Sequence, residues 1–188
     1  WALAGPFGAH HALDLDRPFP PEDGAWRDRW ERAGLPPLPS RSLSAPDGAV
    51  ALDGEPPGAE VWYLAADATL SRGGRYLLAV GATGSVRAFV DGRPAVERRA
   101  FRGWPPTVQI VPLALPPGPH RLLLKATRGP ARATFAVALA REDGAPSDAR
   151  WSPASGPAPA VRPGPLPEPV ATARSLAAAL EEGGAEVA

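Results

Sequence analysis

Between residues 60 and 141 the side chains alternate with a period of two, and turn signals interrupt the alternation about every ten residues. In Val61-Trp62-Tyr63-Leu64-Ala65-Ala66, the side chains of Trp62, Leu64 and Ala66 share one apolar face. Tyr76, Leu78 and Val80 repeat the pattern, followed by Val86, Ala88 and Val90. Val108 with Ile110, Leu122 with Leu124, and Phe135 with Val137 and Leu139 complete six short strands. The breaks are Ser71-Arg72-Gly73-Gly74, Ala82-Thr83-Gly84, Asp91-Gly92 and Pro116-Pro117-Gly118-Pro119. Asp-Gly suits a two-residue hairpin because both central residues of a type I′ turn need positive φ. A parallel sheet needs crossovers of about a dozen residues or more, and these spacings leave no room for them. The expectation is an all-β chain folded as an antiparallel β-sandwich.

At 188 residues the chain is long enough to bury a core without covalent staples. It has no cysteine, which excludes disulfides and thiolate metal sites. Twenty basic and twenty acidic residues cancel, so no overall electrostatic footprint draws nucleic acid or an anionic membrane. No apolar run approaches the ~20 residues of a membrane-spanning helix. Methionine is absent even at position 1, so the expectation is a processed product or a fragment of a longer chain.

Outside the alternating region the signals are more local. Residues 1–7 are apolar and read as a short edge strand ending at Pro6, which cannot donate to a ladder. Trp26 and Trp30 are four apart, which puts both rings on one face of a short helix packed on the sandwich, with an extended reading also open. Ala49 to Leu52 is a further strand. The expected organisation is a sandwich over 1–145, a Pro-rich strap or linker over 146–169, and a short helix and tail over 170–188. Trp151 is expected to anchor the strap. Ala173, Leu176, Ala177 and Leu180 carry the helical spacing, either docked on the domain or opening a following helical region.

Several segments together resemble a known class of module. They are Trp1-Ala2-Leu3-Ala4-Gly5-Pro6-Phe7, Leu13-Asp14-Leu15-Asp16, Phe19-Pro20-Pro21-Glu22, Val61-Trp62-Tyr63-Leu64-Ala65, Val86-Arg87-Ala88-Phe89-Val90-Asp91-Gly92 and the run from Leu115 through Gly118 and His120 to Lys125. The pattern over 1–141 is similar to the galactose-binding-like jelly-roll modules of large bacterial multidomain proteins. These include the non-catalytic sugar-binding domain of β-galactosidase-type glycoside hydrolases and modules preceding tetratricopeptide or transglutaminase-like regions. The resemblance implies a jelly-roll sandwich, an accessory role and a periplasmic or extracellular setting. Asp91 and His120 stand where the family pattern has asparagines, which weakens any carried-over sugar contact.

Candidate chemistry is sparse. His10-His11 with Asp14 and Asp16 matches no established metal loop, so no metal or cofactor is expected. Glu22, Glu55, Glu60 and Asp67 are available carboxylates, yet none sits in a catalytic motif, and no enzymatic activity is expected. Arg93, Arg98, Arg99 and Arg102 read as a solvated sheet edge. The loop Arg99-Ala100-Phe101-Arg102-Gly103-Trp104-Pro105-Pro106 offers flat rings for the C–H faces of a sugar and Arg99 and Arg102 as donors to hydroxyls. Capping of the open sandwich end is the other use for Phe101 and Trp104. The expected function is therefore a non-catalytic accessory or interaction domain of a larger protein, with Trp104, Phe101, Arg102 and Arg99 as carbohydrate contacts. The alternatives are a structural or assembly module binding another domain or protein, and a non-catalytic fragment of a glycoside hydrolase. The strap is able to cover the surface that a ligand would use.

Overall fold

The computed structural model describes residues 1–8, 14–32, 35–45, 49–52, 60–99, 107–128 and 134–172. The chain is an antiparallel β-sandwich, as its alternation predicts. The first sheet has the order β10-β9-β12-β7-β1-β5, with β14 also on β7. Its strands are β1 (Ala2–Phe7), β5 (Arg41–Ser42), β7 (Glu60–Leu70), β9 (Val86–Val90), β10 (Arg93–Arg98), β12 (Gly118–Arg128) and β14 (Arg150–Pro153). The second sheet has the order β16-β11-β8-β13-β6. It comprises β6 (Ala49–Ala51), β8 (Gly74–Ala82), β11 (Thr107–Leu115), β13 (Thr134–Arg141) and β16 (Ala171–Thr172). Two small ribbons complete the fold: β2 (Ala25–Trp26) with β15 (Gly156–Pro157), and β3 (Arg29–Arg32) with β4 (Leu35–Pro39).

The inner faces meet in one apolar core. Leu3, Trp62, Leu64, Ala88, Leu122 and Leu124 come from the first sheet; Val50, Leu78, Val80, Val111, Phe135 and Val137 come from the second. The even-numbered face read from Val61 to Ala66 is therefore the inner one. The Asp91-Gly92 turn is the expected I′ hairpin, with φ of 50° and 74° and Val90 opposite Arg93.

Four expectations need correction. The described residues between 60 and 141 hold seven strands rather than six, because the arginine-rich stretch after the hairpin is β10, the outermost strand of its sheet. Ala95 and Val96 are buried there, and the neighbouring charges hid that short apolar pair. In β11 the inward residues are Val111 and Leu113, opposite Leu78 and Tyr76, and not Val108 and Ile110. That run is apolar on both faces, so alternation did not fix its register. The first strand passes through Pro6 to Phe7, with an irregular register between Ala4 and Phe7, and lies between β7 and β5. Trp26 and Trp30 sit on extended β2 and β3, not on a helix, and their rings still meet edge to face at 5.3 Å.

The first sheet is covered on its outer face as well. Val61, Tyr63, Ala65, Phe89 and Leu123 point outward and are buried under Trp26, Trp30, Phe19 and Ala154. Each such side chain is worth about 1.5–3 kcal/mol when buried, so the covering segment adds a second apolar core. The cover has two parts: the excursion over 14–42 and the Pro-rich strap. The strap joins β7 as β14 and β2 as β15, and then donates from Val161 N to Glu22 O and from Arg162 N to Gly92 O. It reaches the second sheet as β16 on β11. The helix expected around Leu176 lies outside the described residues; Ala171 and Thr172, where that segment begins, are extended.

Candidate functional site

Of the loop residues singled out as ligand contacts, Phe101, Arg102 and Trp104 lie outside the described residues, as do His10, His11 and Glu55. Arg99 is described, and its donors are engaged. Its Nε donates to Glu97 Oε1 at 2.7 Å and its Nη1 to Asp16 Oδ2 at 2.8 Å. Arg87 closes the ring, with Nε 2.9 Å from Glu97 Oε2 and Nη2 2.7 Å from Asp16 Oδ1. Hydrogen bonds from Arg99, with Arg87 adding to them, hold the Asp16 carboxyl down to about 2. Burial pushes Glu97 up, but the two guanidinium groups outweigh it and leave its carboxyl below the usual range. This closed ring of alternating charges fastens the excursion at Asp16 to β9 and to the end of β10.

Glu22, Glu60 and Asp67, the described carboxylates among those considered for catalysis, are also committed. Glu60 accepts from the Trp62 indole at 3.2 Å. Asp67 pairs with Arg121, which stands directly opposite it in the β7–β12 register. Glu22 accepts from the Tyr63 hydroxyl and, at 2.9 Å, from Lys125 Nζ. Lys125 is fully buried, with its ammonium 5.2 Å from the Phe19 ring centre and 5.7 Å from that of Tyr63. Burial pushes the Lys125 ammonium below its usual range, and Glu22 works against that shift. A buried cation of this kind needs a partner and full hydrogen bonding. Here Glu22 and the Arg17 carbonyl supply both, which pins the excursion onto the outer face of the sheet.

An open groove lies on the side where the two sheets part. It has a volume of about 580 Å³ and runs between β14 and β13, bridged by residues 43–45. Its walls are Trp1, Leu43, Val137, Leu139 and Trp151, with Ser44 and Ser152 contributing hydroxyls. Among the described residues, no lining side chain is charged. The Trp1 and Trp151 rings stack with centres 6.0 Å apart and planes inclined by 26°. Trp151 keeps 42% of its surface exposed, unusual for so large an apolar side chain in this fold. The strap thus meets the sandwich through Trp151, as expected, but the contact leaves the ring half in solvent.

Sequence reasoning missed this pairing because its halves come from the two ends of the described chain, and only the strap brings them together. A single local signal was available: Trp151 is the one large aromatic in a Pro-rich stretch. No protein-family model matches this chain, and no curated protein matches its sequence.

Proposed function

We propose that this chain is a non-catalytic interaction domain, a galactose-binding-like jelly-roll module that holds a neutral carbohydrate in the groove that Trp1 and Trp151 wall on one side. The stacked indole pair, with Trp151 half exposed, is the observation that carries this reading. Flat rings pack well against the C–H face of a pyranose, and an uncharged lining with two serine hydroxyls suits a ligand made of hydroxyls. A volume of about 580 Å³ lies in the range of small-molecule sites. The non-catalytic part is supported by the commitment of Asp16, Glu22, Glu60, Asp67 and Glu97 to structural contacts. Glycoside hydrolysis would need two carboxyl groups flanking the bond, and among the described residues the groove lining has neither Asp nor Glu. Phe101, Arg102 and Trp104 enter the same proposal as a second contact patch.

A panel of neutral plant, bacterial and host oligosaccharides, followed by tryptophan fluorescence, tests the reading. Binding should appear for one sugar class, and Trp151→Ala should abolish it with the unfolding midpoint unchanged; Trp104→Ala tests the second patch in the same way. A panel that leaves the fluorescence unmoved sinks the carbohydrate reading.

A second reading, an assembly module, is favoured by the edge of β13. Between Ala136, paired to β6, and Ala140, bridged to Pro146, its groove-side edge has no strand partner among the described residues. Free edges of this kind accept extended segments. Sedimentation that changes with protein concentration would support it.

A further inference from the structure

Trp151 forms a wall of the groove, yet its own packing does not fix it. It is half exposed, and it sits on a strand of four residues, β14, that pairs only with Ala66–Thr69 of β7. A short strand at a sheet edge, without a buried anchor of its own, frays readily. Polar contacts on either side of β14 counter this.

Before β14, Asp148 accepts from the Ser71 backbone N–H at 3.0 Å and from the Ser71 hydroxyl. The Tyr76 hydroxyl lies 3.1 Å from the other carboxylate oxygen, and shares its proton with the Arg72 carbonyl at 2.7 Å. After β14, Ser155 is fastened through both of its peptide groups. Its N–H donates to Asp67 Oδ2 at 3.2 Å, and its carbonyl accepts from Arg121 Nη2 at 2.8 Å. Asp67 and Arg121 are themselves an ion pair, and the Arg121 side chain is buried. The next residue inward, Ala154, is buried and donates to Ala65 O at 3.3 Å.

We propose that these two latches, Asp148 on Ser71 and Tyr76 and Ser155 on Asp67 and Arg121, are the positioning elements of the groove: they hold β14 at the height that stacks Trp151 on Trp1. The inference rests on the reading of the groove as the binding site. Asp148, Asp67 and Arg121 touch no ligand in this arrangement and act through Trp151. The groove is accordingly complete only while the strap is latched, and residues remote from it set its affinity.

The test uses the whole chain labelled with 5-fluorotryptophan and followed by fluorine NMR, with the Trp1 and Trp151 signals assigned by single changes to Phe. One variant is Asp148→Ala, which removes the first latch while the Tyr76 hydroxyl keeps the Arg72 carbonyl as its acceptor. The other is the double change Asp67→Leu with Arg121→Met, which removes the second latch without leaving an orphaned charge. Each variant should shift and broaden the Trp1 and Trp151 signals while those of Trp30 and Trp62, both fully buried, stay in place. Affinity for the oligosaccharide that the parent chain binds should fall roughly tenfold, the size of one lost aromatic contact. Trp151 signals unmoved in both variants would overturn the inference, and so would shifted signals with unchanged affinity. Shifted signals in a chain that binds no oligosaccharide at all would uphold the latches and overturn the carbohydrate reading instead.

Discussion

His120 Nδ1 lies 2.7 Å from Oδ2 of Asp91, and this contact joins the two tight turns at one end of the first sheet. The other carboxylate oxygen of Asp91 accepts from the Arg121 N–H at 2.9 Å, while the Asp91 N–H donates to the Arg121 carbonyl at 2.9 Å. The second ring nitrogen of His120 meets the Pro116 carbonyl at 2.8 Å. Asp91 and His120 are thus partners: one side chain closes the β9–β10 hairpin, and the other ties it to the turn that opens β12.

Replacing Asp91 therefore acts on two properties. Asp91→Ala removes both side-chain bonds and puts a residue that disfavours positive φ at 50°, and should cost roughly 2–3 kcal/mol in urea unfolding. Asp91→Asn tolerates the left-handed conformation and keeps an acceptor for Arg121, and should cost about 1 kcal/mol. Equal losses for the two variants would mean that neither the φ value nor the Arg121 bond matters.

The hairpin, the inner core and the all-β class were legible because each is written in local pattern: alternation, a turn dipeptide and spacing. The outer core was half legible. Val61, Tyr63 and Ala65 make β7 apolar on both faces, the sign of a strand buried on both sides. Asp67, Arg121 and Lys125 on the same outer face argued for solvent instead, and their partners stand far away in sequence. The strap was legible in its proline content but its path was not, since beyond β15 its backbone is held by single hydrogen bonds to Glu22, Gly24 and Gly92. The groove inherits that illegibility, because Trp151 reaches Trp1 only along the strap.

The strap passes so close to Gly24 that no side chain fits beneath it. A Cβ there would lie 2.3 Å from the Ala158 carbonyl oxygen and 2.6 Å from Ala160 N, and the residue has φ of 95°. Gly24→Ala should lift the strap over its middle, costing roughly 1–3 kcal/mol by strain and lost bonds. Limited proteolysis should then cut within residues 155–165 of the variant while the parent chain stays intact. A variant as resistant as the parent would show that the strap accommodates the methyl group.

Acid should loosen the two exposed carboxylate anchors together. Asp16 is held down to about 2 chiefly by its Arg99 hydrogen bond, and Asp148 to about 2 chiefly by Ser71. A depressed carboxyl stabilises the fold above its unfolded value of 3.8 and loses that contribution as pH falls through its folded value. Both anchors contribute fully at neutral pH, and the urea midpoint should decline between about pH 4 and pH 2. Asp16→Asn and Asp148→Asn combined should flatten that part of the profile. Added salt should shrink the Asp16 share more than the Asp148 share, because only Asp16 is held by charged partners. A double variant that declines as steeply as the parent would assign the acid sensitivity to other groups.

Lys125 gives the clearest test of how the outer cover is fastened. Its ammonium is enclosed by Phe19 and Tyr63 and held by Glu22, which also accepts from the Tyr63 hydroxyl. Removing one member of a buried pair strands the other, so Lys125→Met and Glu22→Gln should each cost about 3–5 kcal/mol. The double variant leaves no buried charge; Met fills the aromatic slot, and Gln still accepts from Tyr63. It should therefore be much less damaging than the sum of the singles, with a coupling energy of roughly 2–3 kcal/mol in a denaturation cycle. Additive losses would mean that Lys125 and Glu22 stabilise the cover independently, and that the aromatic enclosure holds the cation without its carboxylate.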